Sequence, residues 1–144
     1  MLVCVNYYWE LDINSIQSIY ETESIHDLIL DIETSIKMHD GSLYFWEEDG
    51  YRISALRVEP YQDGYLFFDL ATMISRRRLG YGSQLVRSVL SEYRMKNKPI
   101  YVHIEKKNAV SLSLHKNLGF QICNDYGKLI DGTISHRYYT LVYK

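Results

Sequence analysis

The stretch "RRRLGYGSQLV", residues 76–86, decides how this chain is read. Three arginines run into two glycines one residue apart, and an apolar-periodic segment starts directly behind them. A strand that ends in a glycine-rich turn and enters a helix makes an anion site. The first amides of the helix have no intrahelical acceptor, and the helix dipole favours negative charge at that end. Gly80 and Gly82 let the backbone approach an anion without a Cβ in the way. The arginines add charge-assisted hydrogen bonds to phosphate oxygens. Spacing excludes two commoner phosphate loops. A P-loop needs a lysine after its last glycine, and none follows Gly82; a dinucleotide fingerprint needs a third glycine where Leu85 stands.

Outward from this turn, Leu85, Val86, Val89, Leu90 and Tyr93 share one helical face, and Asn97-Lys98-Pro99 ends that helix. Ahead of it, "SLYFWEEDGYRISALRVEPYQDGYLFFDLATMI" (42–74) reads as three antiparallel strands, with hairpin turns at Asp49-Gly50 and Asp63-Gly64. Behind it, "PIYVHIEKK" (99–107) is a strand. Asn108 to Leu118 is a second short helix, with Ser111, Leu114, His115 and Leu118 on one face and Gly119 as its stop. "FQICN" (120–124) and "SHRYYTLVYK" (135–144) are strands joined by a loop from Asp125 to Gly132. Near the amino end, "LVCVNYYW" (2–9) reads as a strand. Asp12 or Asn14 caps a short helix to about Glu21, and Ser24, with Asp27 three residues on, caps a helix carrying Ile25, Leu28, Ile29, Ile32 and Ile36. This order of elements predicts an α/β protein: a mixed sheet with helices on its faces, because a strand–helix–strand passage needs a crossover.

A chain of 144 residues, 47% hydrophobic and 24% charged, fits one domain over 1–144 and excludes a disordered chain. Its net charge of −2 gives no global field toward nucleic acid or anionic lipid, so neither is expected as a partner and any anion is bound locally. Cys4 and Cys123 lack metal or redox spacing and read as a reduced pair. His26, His39 and His136 are scattered, and no metal site is expected. With no basic leader and no apolar run near ~18 residues, the expected compartment is the cytoplasm. The apolar strand near the carboxyl end, "YYTLVYK" (138–144), suggests a homodimer paired along a sheet edge.

The pattern Arg77-x-x-Gly80-x-Gly82 between strand and helix resembles the acetyl-coenzyme A site of the GNAT superfamily of N-acetyltransferases. "NAVSLSLHKNLGF" (108–120) resembles the same superfamily's segment at its fifth strand and fourth helix. The resemblance implies the GNAT fold, a mixed, mostly antiparallel sheet of about seven strands with about four helices, and acetyl-CoA as cosubstrate. It implies that the amides of Arg78, Leu79, Gly80, Tyr81, Gly82 and Ser83 cradle the pyrophosphate, with Arg77 or Arg78 adding charge. Ala71, Thr72 and Met73 would pair edge-on with the pantetheine arm, and Asn108 would hydrogen-bond near it. One departure is Ile74, where the superfamily often has proline.

The implied reaction moves an acetyl group from the thioester to a primary amine of a small molecule or peptide. A lysine-type amine has a reference pKa of about 10.4, so a base must take its proton near neutrality. His115 stands where many members carry the tyrosine that protonates the departing sulfur, and His103 where some place a glutamate base. Asp69, a charge inside the apolar run "FFDLA", and Glu105 are further candidates for the base. The acceptor would lie near Tyr20, Glu21, Tyr126 and Tyr138. An acyl-CoA-binding or sensing module of the same fold, without turnover, is the alternative.

Overall fold

Side chains alternate across a strand, so one strand can feed two cores at once. The computed structural model describes Met1–Lys144. In chain order it contains β1 (Leu2–Val5), α1 (Ile13–Tyr20), α2 (Ile25–Met38), β2 (Ser42–Glu48), β3 (Tyr51–Tyr61) and β4 (Gly64–Thr72). Then come α3 (Tyr81–Tyr93), β5 (Ile100–Glu105), α4 (Ala109–Asn117), β6 (Gln121–Asn124), β7 (Gly127–Lys128), β8 (Ile134–Ser135) and β9 (Tyr138–Tyr143). A 7-stranded sheet runs in the order β1-β2-β3-β4-β5-β9-β6, and β7 and β8 form a separate two-stranded hairpin. Every pairing in the large sheet is antiparallel except β4 with β5. The expected mixed, mostly antiparallel sheet with four helices is the fold observed.

The alternation assigns the two cores. Leu43 and Phe45 of β2 and Ala55 of β3 pack with Ile16, Ile19, Ile29 and Ile32 of α1 and α2. Tyr44, Leu56 and Val58 face the other way and meet Leu85, Val86, Val89 and Leu90 of α3, with Val102, Ile104 and Phe120. Asp12 caps α1, its Oδ1 accepting from the amide of Asn14 at 3.1 Å. No helix is long and apolar enough to cross a membrane.

Four expectations need correction. β1 stops at Val5 rather than Trp9, because its partner strand begins at Ser42, opposite the end of β1, and Tyr8–Glu10 become a single 3-10 turn. The second hairpin turns on Gln62-Asp63, with Gln62 at φ 50°, and Gly64 already pairs with Tyr61. Gly64 is needed for proximity: a Cβ there would sit 1.9 Å from the carbonyl oxygen of Pro99. The loop after Asn124 holds the β7–β8 hairpin. Finally, β9 lies between β5 and β6 and offers no edge, so the edge argument for a homodimer does not hold; the sheet ends on β1 and β6.

One irregularity positions the site. Ala55 of β3 is paired with Ala71 and Arg57 with Phe68, so Leu56 faces two residues, Asp69 and Leu70. Asp69 takes a left-handed φ of 53° to make this bulge. Phe68 and Asp69 therefore both turn toward α2, where the Arg57 guanidinium lies 4.6 Å over the Phe68 ring and its Nη1 is 2.9 Å from Asp69 Oδ2. The same Nη1 is 2.8 Å from Asp31 Oδ2 on α2, and the Tyr20 hydroxyl donates to the Asp69 carbonyl at 2.6 Å. Beyond the bulge Ala71 and Met73 pack against the α1–α2 core, while Leu70 packs against the other. The parallel pairing of β4 with β5 consists of Tyr65 with Ile100 and Leu66 with Tyr101; past Leu66 the strands part.

Changing Gly64 to alanine should cost about 2 kcal/mol, since the clash is with backbone and both strands would have to shift. Urea unfolding of the variant against wild type reads this directly.

Candidate active site

Between β4 and α3 the chain makes a 3-10 turn (Ile74–Arg76), passes through extended Arg77, and crosses two left-handed residues, Arg78 (φ 65°) and Gly80 (φ 86°). α3 then begins with no side chain capping its amides. The first of its amides with an acceptor is Gln84, bonded to the Gly80 carbonyl at 3.0 Å, and the amides of Arg78, Leu79, Gly80, Tyr81, Gly82 and Ser83 have no acceptor within the protein. Gly82 has ordinary helical backbone. A Cβ built on it would meet only Leu70 Cδ2 at 3.8 Å, Thr72 Oγ1 at 3.8 Å and Leu114 Cδ1 at 3.9 Å. Nothing in the protein's own packing demands glycine there, yet a side chain would fill the space between the end of β4, the start of α3 and α4. Unpartnered amides around an open hollow fit a phosphate-bearing ligand.

The arginines divide the work. The Arg77 guanidinium is held at the surface: Nε donates to the Thr72 carbonyl at 2.9 Å and Nη2 pairs with Glu21 at 3.0 Å, tying the end of β4 to the end of α1. Arg76 and Arg78 have no ion-pair partner, and of the two Arg78 is the more exposed. Tyr81 donates its hydroxyl to Glu48 at 2.7 Å and pins the start of α3 to the end of β2.

Where β4 and β5 part, a cavity of about 250 Å³ opens, lined by Phe67 to Leu70, Val102 to Glu105, Asn108, Ser111, His115 and Tyr138. Candidate catalytic groups His115, His103 and Asp69 all reach it, as do Glu105 and Asn108. Asn108 caps α4, with Oδ1 accepting from the Ser111 amide at 3.0 Å. A larger hollow of about 490 Å³ lies at the other end of α3 against Leu90, Tyr93 and Pro99, away from the free amides and both histidines of the cleft.

The two histidines occupy opposite faces of the sheet. His115 is 5% exposed, stacked edge-on against Phe120 at 5.3 Å, with Nδ1 2.8 Å from the Ser111 carbonyl. A carbonyl can only accept, so Nδ1 carries the proton and Nε2 holds the lone pair. Burial pushes its pKa below the usual histidine value, against the opposing bond to Ser111. His103 lies with Tyr61, Nε2 to hydroxyl 3.4 Å, and the Tyr61 proton goes to the Lys128 carbonyl. Nε2 of His103 is therefore the donor and Nδ1 the lone pair, and burial lowers this pKa too. Asp69 does not stand free as a base: its carboxylate is held by Arg57. Tyr20 and Glu21 are likewise spent on Asp69 and Arg77, while Tyr138 lines the cavity.

Residues 44–128, more than half of the chain, match the family described as FR47-like protein. The chain belongs to that family, and its fold is that of the GNAT acetyltransferases. Three solved structures illustrate the likeness. PaiA N-acetyltransferase from Thermoplasma acidophilum, in complex with coenzyme A, has a TM-score of 0.73 at 12% identity, over 100% of this chain and 99% of that one. An N-acetyltransferase from Staphylococcus aureus Mu50 has 0.72 at 18%, over 100% and 97%. A GNAT family acetyltransferase from Elizabethkingia anophelis with acetyl-CoA bound has 0.72 at 15%, again over 100% and 97%. A search of curated protein sequences finds no match.

Within this GNAT fold the sequence reading missed Arg57, Glu59 and Ser111. Arg57 and Glu59 carried a signal, two charges at alternate positions in the otherwise apolar run "ISALRVEPY" (53–61), which puts both on one sheet face. Nothing in the sequence singled out the Ser111 carbonyl as the partner of His115.

Arg57→Met should destabilise the protein by about 2 kcal/mol, less than a fully buried pair costs, because Asp31 and Asp69 keep water. Chemical denaturation measures it. The histidines give a pH test. Their folded-state values lie below the unfolded one, so the unfolded chain binds more protons; stability is intact above about pH 6.5 and falls as pH drops through the depressed values. Thermal melts across this range should show that decline, and His115→Gln should make it shallower.

Proposed function

We propose that this chain is an acetyl-CoA-dependent N-acetyltransferase, which moves an acetyl group to a primary amine of a small molecule or peptide by direct attack on the thioester. The run of unpartnered amides from Arg78 to Ser83, with Gly82 beside Leu70 of the β4–β5 cleft, carries the proposal. Acetyl-CoA would supply the activated acyl group. Its pyrophosphate would be held by the amides of Arg78 to Ser83 and the guanidinium of Arg78. Its pantetheine arm would run along the edge of β4 that β5 leaves free, at Ala71, Thr72 and Met73, with Asn108 at the rim of the cleft. Bound coenzyme A in the Thermoplasma acidophilum structure and bound acetyl-CoA in the Elizabethkingia anophelis structure, both of this fold, support that assignment.

The residues of the cleft suit the proton traffic. The amine nitrogen must lose a proton as its bond to the acyl carbon forms, and the sulfur must gain one as the carbon–sulfur bond breaks. His103 is neutral with its Nδ1 lone pair unused, and can accept the amine's proton. His115 in its resting tautomer has no proton at Nε2 to give. It serves as an acid only after Nε2 has taken one up, so it works as a relay rather than as a standing donor. Burial makes the protonated imidazole a stronger acid, which favours passing the proton on to sulfur.

Thermal unfolding with and without acetyl-CoA tests the reading. At about 100 times its dissociation constant a ligand adds about 2.7 kcal/mol of stability. The wild type should gain it and Gly82→Glu, whose side chain fills the hollow, should not. Thiol release with a panel of amines then separates the enzyme from a binding module: a stability gain with no release from any amine would leave only acyl-CoA binding or sensing.

A further inference from the structure

Glu59 lies on the α2 face of β3, one alternation beyond Arg57, and is 7% exposed. Its Oε2 accepts from the Ser35 hydroxyl at 2.9 Å, and no cation and no second donor reaches the carboxylate. Ser35 is itself fixed. It is 5% exposed, and Gly41 packs so closely that a Cβ there would lie 2.0 Å from Ser35 Oγ. A buried carboxylate held in one rotamer by a single hydroxyl is expensive unless something else pairs with it.

What Glu59 borders is a second cavity, of about 380 Å³, between α2, β3 and the tip of the β7–β8 hairpin. Asp31 and Asp131 also line it. Asp131 accepts from the Thr133 amide at 2.9 Å, which holds its carboxyl below the usual range and therefore ionised. Arg57, the one guanidinium on the wall, already serves Asp31 and Asp69, and the other basic group is the His39 imidazole. The cavity is thus anionic, with its most buried carboxylate unpaired by any cation. Phe68 lines both this cavity and the cleft between β4 and β5, so the two adjoin at that residue.

We propose that this second cavity is the acceptor's specificity pocket and that Glu59 pairs with a second cationic group of the acceptor: the substrate is a diamine or a comparable dication, its reacting nitrogen in the cleft and its other nitrogen at Glu59. The pocket's role in the reaction rests on the acetyltransferase reading; the cation site itself does not.

Calorimetry on the protein saturated with coenzyme A, using a series of α,ω-diaminoalkanes and the monoamines of equal length, tests this. Diamines should bind about tenfold or more tighter than the matching monoamines at one preferred length, and Glu59→Gln should erase that advantage while leaving coenzyme A affinity unchanged. Glu59→Asp, which retracts the carboxylate by one methylene, should move the preferred length up by one carbon, and it serves equally if the glutamine variant fails to fold. Equal binding of diamines and monoamines, or an equal loss of both in Glu59→Gln, would overturn the proposal. Diamine binding through Glu59 without any thiol release would sink the acetyltransferase reading and leave the cation site standing. Rapid acetylation of monoamines with no preference for diamines would do the reverse.

Discussion

A buried guanidinium holds β4 in the bent course on which the rest of the site depends. Arg57 is 3% exposed, and it ties Asp31 on α2 to Asp69 on the bulge. Without the bulge, alternation would send Asp69 into the apolar core under α3, and β4 would continue alongside β5. With it, two successive side chains face Arg57, the strand turns away, and a cleft opens inside what would have been a closed sheet. Placing a non-glycine residue at φ 53° costs of the order of 1 kcal/mol. The ion pairs and the Tyr20 hydroxyl on the Asp69 carbonyl offset that cost at the same residue.

The cleft has chemically different walls because strand side chains alternate. His115 enters from the α4 side among Phe120 and the apolar core, whereas His103 belongs to the opposite face with Tyr61 and the β7–β8 hairpin. Two imidazoles depressed by the same cause, burial, thus hold their protons on different nitrogens and reach one cleft from opposite faces of the sheet. The turn ahead of α3 follows the same economy. Arg77 fixes the turn from one side through Thr72 and Glu21, Tyr81 fixes it from the far side through Glu48, and the amides between them are left without work in the protein.

Much of this was legible in the sequence. The five apolar positions from Leu85 to Tyr93 are all buried, Asp12 caps the helix it precedes, and the glycine turn stands between strand and helix as its spacing requires. The failures have a common form. Asp63-Gly64 has the composition of a turn, but Gly64 is glycine because Pro99 presses on it from another strand. "YYTLVYK" has the composition of an edge, but β6 folds back to cover it. Asp69 looked like a free charge in the cleft, and Arg57 occupies it. In each case a long-range neighbour overrode a sound local signal.

By itself, therefore, the sequence determined the main elements, their order, the two faces of each long strand and the glycine turn ahead of α3. These depend on side-chain period and on backbone freedom, both local properties. Tertiary structure alone decided which charges remain available for chemistry. Nothing along the chain says which partners Arg57, Arg77, Asp69 and Glu59 will meet. Only packing spends the first three on one another's neighbourhoods and leaves Glu59 buried beside a cavity without a counter-charge, because ion pairing is settled by distance in space and not by distance in sequence.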